Sequence, residues 1–328
     1  MKKVVAFGEI LLRLSPAGND RIIGANRFEA CYGGTESNVL VALSGLGHDT
    51  EYISVVPDNA FGTAVSQHLR KYNVGTTRLL KRGEVLGTYY LEKGFGNRAT
   101  SVVYNRRNSE ITRVDKNLFS DADYDDIFAS CGIFHISGIS FGLSEGCRAL
   151  AWRMMDEAQK RGIPVSFDCN YRAKVWGAYP AEEYKKILSR AEIIFCSQKD
   201  LDAMEIHDIT PLFTEGRCRY LVKREKETPG FDTIEASCST FLREESEIRE
   251  YVGGRVRFRV LEKIGGGDVF DAAMLHYLSE DAPDILRAME FALGCYELKH
   301  TICEDVMHVS EKEAWDFIKN KEGKGLSR

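Results

Sequence analysis

The sequence predicts a doubly wound α/β fold with a mostly parallel sheet and a small separate β-sheet. Three observations lead there. First, β-rich and helical patterns alternate along most of the 328 residues, as they do in βαβ units, whose successive strands lie parallel. Second, residues 10–32 and 84–108 break the alternation: they are β-prone, rich in glycine, tyrosine and arginine, and without helical period. Third, 44% hydrophobic and 28% charged residues are the composition of an ordinary soluble chain, long enough for one large α/β domain or two ordinary ones.

The elements follow in order. "KVVAFGE" (3–9) is the first strand; Gly8 and Glu9 cut its apolar run, so it lacks the h-region of a signal peptide. In 37–47, Val39, Leu40, Leu43 and Leu46 share a helical face and Gly47 supplies the stop. Residues 51–56 read as a strand and 61–74 as a helix; then come strand 132–137, helix 145–161, strand 164–168, helix 181–190 and strand 192–197. The β-prone segments 10–32 and 84–108 are placed as a lid over the carboxyl ends of the main strands, where α/β proteins bind ligands. The polar tail 320–328 is expected to fray.

Composition also excludes partners. A net charge of -5 leaves no basic footprint for nucleic acid, and no apolar run is long enough to span a membrane. Nine scattered cysteines without a CxxC pair argue against a disulfide framework and a zinc site, and fit the cytoplasm. No metal ligand is read from the histidines; His135 and His300 read as satisfied polar residues.

The chemistry concentrates in two glycine stretches. In "EKIGGGDVFDAAML" (262–275) three glycines run into Asp268, and Val269, Phe270, Ala273, Met274, Tyr277 and Leu278 follow at helical spacing. Backbone N–H groups of such a turn, with the positive end of the helix, form a nest for phosphate oxygens. The same field is expected to keep Asp268 ionised, ready to accept a proton. A plain helix cap explains this stretch equally well. The second stretch, "YGGTESN" (32–38), puts Gly33 and Gly34 before another helix, with Glu36, Ser37 and Asn38 at its start.

Together the two stretches resemble the paired signatures of ribokinase-like carbohydrate kinases of the phosphofructokinase B type. The resemblance covers essentially the whole chain, 1–328, as a single kinase domain with the β lid inserted and helices on both faces of the sheet. "GEILLRLSP" (8–16), "DCNYRAKVW" (168–176) and "ELKHTICED" (297–305) are similar to the 2-keto-3-deoxygluconate kinase branch. This implies ATP-dependent phosphorylation of the terminal hydroxyl of a 2-keto-3-deoxy sugar acid, with Mg2+ bridging the phosphates. Asp268 would be the base and Gly265, Gly266 and Gly267 the anion hole. Gly33, Gly34, Asn38, Tyr89, Tyr104, Arg106 and Arg172 would contact the sugar acid; Asn170, Ser197, Lys223, Gly265, Gly267 and His300 would face the nucleotide. Read alone, each lid tyrosine or arginine is equally a packing or surface residue. Arginine forks nonetheless suit a carboxylate, and Leu11-Leu12-Arg13-Leu14 after the first strand supplies no acid for neutral-sugar hydroxyls.

The chain departs from the pattern on the nucleotide side. Glu262-Lys263-Ile264 opens the second signature without threonines, and Arg224–Glu227 stand where glycines are usual. Ser197 and Asp200 replace an asparagine and a glutamate, and Glu304 replaces a glycine beside Asp305. These departures motivate two alternatives: a sugar-acid-binding protein weakened in turnover, or a kinase of a neutral sugar such as fructose. A Rossmann dehydrogenase is set aside, because "AFGEIL" lacks the GxGxxG turn. Free lid edges predict a homo-oligomer.

Overall fold

The computed structural model describes residues 1–230, 232–245 and 247–320; of the expected frayed tail, 321–328 lie outside the described residues. The strands are β1 (Lys3–Phe7), β2 (Leu11–Pro16), β3 (Phe28–Gly33), β4 (Thr50–Val56), β5 (Leu79–Lys81), β6 (Thr88–Glu92) and β7 (Ser101–Asn105). They continue with β8 (Cys131–Ser137), β9 (Val165–Asp168), β10 (Ile193–Cys196), β11 (Tyr220–Gly230), β12 (Thr233–Glu244) and β13 (Glu247–Arg259). Nine form one sheet in the order β13-β12-β11-β10-β9-β8-β1-β4-β5, and four form a second in the order β3-β2-β6-β7. In the large sheet the pairings from β11 through β5 are parallel, while β11–β12 and β12–β13 are antiparallel.

Side chains of a strand alternate between faces, and β1 shows what that does here. Val4 and Ala6 enter one buried cluster, with the helices Thr35–Gly45, Gly266–Leu278 and Ile285–Lys299. Val5 and Phe7 enter the other, with helices Glu145–Lys160 and Ala181–Leu188. Both faces of β1 are therefore dry, which is why its run is continuously apolar. The chain winds outward from β1 in both directions, to β4 and to β8. That reversal opens a crevice at the carboxyl ends of the strands.

The lid segments hold the four strands of the small sheet, and one short 3-10 turn, Ile22–Gly24, interrupts the first. Helix boundaries fall within a few residues of the periodicity. The helix of the second signature takes in two of the three glycines expected in the preceding turn: Gly265, with φ 81°, is the N-cap, while Gly266 and Gly267 already belong to the helix. Glycine is required at 265, because any other residue is strained at that left-handed φ.

Candidate active site

A cleft of about 690 Å³ runs between the carboxyl ends of the main strands and the small sheet. Gly33, Gly34, Asn38, Tyr89, Tyr104, Arg106, Asn170, Arg172, Ser197, Gly265, Gly267 and Asp268 all line it. A smaller cavity of about 290 Å³ adjoins it around Asp168, Asp200 and Asp271.

At the centre stands Asp268, third residue of helix Gly266–Leu278 and 9% exposed. The first N–H bonded back within this helix is that of Val269, to Gly265 O at 3.1 Å; the helix itself leaves the N–H groups of Gly266, Gly267 and Asp268 unused. The positive field of three unused N–H groups thus borders one carboxylate. The field does not keep Asp268 fully ionised, contrary to the expectation from the sequence. Burial pushes its pKa up to about 7, outweighing the bond from Asn38, and the Asp168 charge adds to the rise. Desolvation of a carboxylate beats one turn of helix dipole.

Asn38 holds that carboxylate: its Nδ2 donates to Asp268 Oδ2 at 2.6 Å, and its Oδ1 accepts from Gly34 N–H at 3.3 Å. The amide was expected to touch the sugar; it lines the cleft, but both ends are committed to the protein. Gly34 is small because a Cβ there would lie 2.0 Å from Glu9 O, and one on Gly33 would lie 2.5 Å from Asp305 Oδ2. Gly34 lets two backbones meet, and Gly33 makes room for the Asp305 side chain.

The lid supplies Tyr89, Tyr104 and Arg106. Tyr89 is buried and its hydroxyl donates to Asp305, while the Tyr104 ring lies 5.8 Å from it, with the Arg106 guanidinium 5.4 Å above Tyr104. Arg106 pairs with buried Glu9, and its Nε has no partner. Arg172 is exposed across the cleft and donates to Tyr171 O at 3.0 Å.

Glu9 corrects the reading that no carboxylate follows the first strand. β1 ends at Phe7, so the Gly8-Glu9 turn drops the side chain into the cleft, where Ser109 Oγ donates to it at 2.6 Å. Glu9 was visible only as a break in an apolar run. Asp305 was also missed: it is 2% exposed, lines the cleft, and binds Arg13 and Tyr89. Arg13 itself is buried against Glu262 and Asp305, and Glu304 is exposed and accepts from Tyr72 at 2.9 Å.

Two residues expected at the nucleotide, Lys223 and His300, do not line the cleft. Lys223 points to the opposite side of β11 from Arg224 and reaches Gln198 at 3.1 Å. His300 is fully buried behind Gly266, where a Cβ would meet its ring at 2.3 Å; its Nδ1 is 2.6 Å from Tyr296 O and its Nε2 has no partner. Gly266 faces that ring, so only its N–H is offered to the turn. Ser197 and Asp200 cap their own helix, Gln198–Ala203, with Ser197 Oγ 2.7 Å from Asp200 Oδ2. Asn170 adopts a left-handed φ of 34° and donates from Nδ2 to Thr35 at 3.0 Å. Arg224 covers the base of the Asp268 helix, donating to Gly267 O at 3.1 Å beside Asp271. Asp168 and Asp271, both buried, have raised pKa values, chiefly through desolvation.

Among the described residues no group of three or more acidic, histidine or cysteine side chains is placed to hold a metal, and no helix is long and apolar enough to cross a membrane. The carboxylates of the cleft and the adjoining cavity, Asp168 among them, are hard oxygen donors of the kind that would suit a magnesium ion.

Known proteins are similar to this chain over most of its length. The chain is 28% identical over 318 residues to a 2-dehydro-3-deoxygalactonokinase of Haloferax volcanii, covering 95% of each. Its fold matches a 2-dehydro-3-deoxygluconokinase of Thermotoga maritima with TM-score 0.89 and 27% identity, covering 97% of this chain and 98% of the other. A fructokinase of Xylella fastidiosa solved with bound ATP shares the fold at TM-score 0.80 and 20% identity, over 97% and 98%. The pfkB family carbohydrate kinase pattern matches residues 1–215, which include the Asn38 signature and the lid, and the chain belongs to the pfkB family of carbohydrate kinases.

Proposed function

We propose that the protein transfers the terminal phosphoryl group of ATP to the terminal hydroxyl of a 2-keto-3-deoxy sugar acid. One observation carries the reading: a buried base, Asp268, shares a cleft with two arginines, Arg106 and Arg172, and an open glycine turn. Arg106 and Arg172 bind the substrate carboxylate, and Tyr89 and Tyr104 bound the sugar. Asp268, steadied by Asn38, takes the proton as the hydroxyl oxygen bonds to phosphorus and the bond to the ADP oxygen breaks. The N–H groups of the 265–268 turn hold the charge spread over the transferring group. Magnesium, when bound with ATP, neutralises the phosphates.

The named relatives support the substrate class, since two of them are kinases of 2-dehydro-3-deoxy sugar acids. Nine free cysteines support a reducing, cytoplasmic setting. The small sheet has free edges at β3 and β7, and Val103 on β7 is 52% exposed; these edges pair between subunits in a homo-oligomer.

Glu9 favours a second reading, a kinase of a neutral sugar such as fructose, because a buried carboxylate suits hydroxyl groups. The self-capped Ser197 and Asp200 favour a third, a weakened sugar-acid binder. A coupled ADP-release assay separates them: keto-deoxy acids should be turned over and fructose should not. Arg106→Ala or Arg172→Ala should raise KM for the acid by at least about tenfold, as loss of a charge-assisted bond of about 1.5–3 kcal/mol predicts. Equal effects on neutral sugars would remove the carboxylate role, and binding without ADP release would leave only the binder.

A further inference from the structure

Behind the glycine turn lies a layer of buried charge that meets the cleft at Asp305. Lys299 ends helix Ile285–Lys299 and is 0% exposed. Its Nζ donates to Ile302 O at 3.2 Å, and its Cε lies 3.1 Å from the place of a Cβ on Gly265. Two buried carboxylates flank it, Glu262 and Asp305. Both already have another cation. Arg13, reaching in from β2, binds Asp305 and lies 3.3 Å from Glu262; Lys93 Nζ lies 3.5 Å from Glu262. Both carboxylates therefore have a nearer cation in Arg13, and the Lys299 ammonium, which donates to a backbone carbonyl, leaves its charge to act on the Asp268 side of the turn as well.

Packing alone does not explain an ammonium there. Burying one costs several kcal/mol, and an apolar side chain of similar volume is often neutral or better for stability. We infer that Lys299 is a positioning residue for phosphoryl transfer: a fixed positive charge, shielded from water, that reinforces the anion-binding field of the 265–268 turn from behind. Glu262 and Asp305 make its burial tolerable, and Arg13 keeps them from cancelling it. The Ile302 carbonyl fixes the ammonium against Gly265, so the charge needs no rearrangement as negative charge accumulates on the transferring group.

The inference rests on the kinase reading, and two variants test it with separable readouts. Lys299→Gln keeps a donor for Ile302 O but loses the charge. Its kcat should fall by about tenfold or more, less than the loss of a direct oxyanion donor, with KM for the sugar acid nearly unchanged. Its affinity for inorganic phosphate, titrated calorimetrically, should fall several-fold. Lys299→Ala opens a cage of one carbonyl and two carboxylates, and methylammonium should restore part of its kcat. Wild-type kcat and phosphate affinity in Lys299→Gln overturn the inference; so does a loss that follows only Tm and ignores methylammonium. If Lys299→Ala does not fold, the glutamine variant decides. A wild-type protein that binds phosphate yet transfers none to any sugar or sugar acid sinks the proposed function instead, and the phosphate titration still judges Lys299.

Discussion

A carboxyl with a pKa of about 7 is half ionised at neutral pH, close to the best compromise for a general base. The kcat/KM of the protein should therefore rise from pH 6 to pH 8 along an acid limb near 7. Asp268→Asn should lower kcat by about 10²-fold or more; near-normal turnover would remove Asp268 from the chemistry. The same shift has a cost in stability. Because the folded pKa lies above the unfolded value of 3.8, the folded state binds the extra proton between these values, and stability falls as pH rises through that window. Asp268→Asn removes the penalty and keeps an acceptor for Asn38 Nδ2. Its Tm should exceed that of the wild type more at pH 8 than at pH 5, and an equal difference at both would show that the carboxyl is not raised.

Elements meet at the active site through backbone contact, so the glycines of the two signatures matter most where two elements touch. Gly34 has an extended φ of -168° that any residue adopts; space is its only constraint. A methyl there would sit 2.0 Å from Glu9 O, forcing the start of helix Thr35–Gly45 away from the end of β1. Gly34→Ala should cost about 1–3 kcal/mol, as overpacking does. It should also disturb the Asn38–Asp268 bond, so that kcat falls along with the denaturation midpoint. A stable variant with lost turnover would mean that the glycine faces substrate directly. β11 shows the opposite arrangement: its strand runs on to Gly230 as an antiparallel ribbon with β12, and Arg224, in place of a glycine, turns inward to bind the Asp268 helix.

Across the whole molecule, burial sets the acid limit. His68 and His276 are held down to about 4, His300 to about 4 and His135 to about 3, in each case chiefly because burial disfavours the charged ring. These rings stay neutral in the folded state but take up protons near pH 6.5 once unfolded. Their depressed values leave stability complete above about 6.5 and lost progressively as pH falls towards 4. Thermal melts should show Tm dropping across that window, and His135→Gln, which removes one titrating group, should make the slope shallower. A Tm that is flat from pH 7 to pH 4.5 would place these rings in contact with water.

Local pattern was enough for the alternating strands and helices, since apolar periodicity and glycine stops act within a few residues of themselves. It also placed the lid segments, because 10–32 and 84–108 lack a helical period, and it put Asp268 at a helix start behind a glycine turn. What the tertiary structure decided depends on distance through space. Glu9 and Asp305 are nearly 300 positions apart, yet both line one cleft, and neither sits in a glycine motif that would single it out. Lys223 and Arg224 are neighbours in sequence, but strand alternation sends only the second to the Asp268 helix. The protonation of Asp268 was misjudged for the same reason: the helix dipole is written in the adjacent residues, whereas the burial that outweighs both it and the bond from Asn38, and the Asp168 charge that adds to the rise, exist only once the chain has folded.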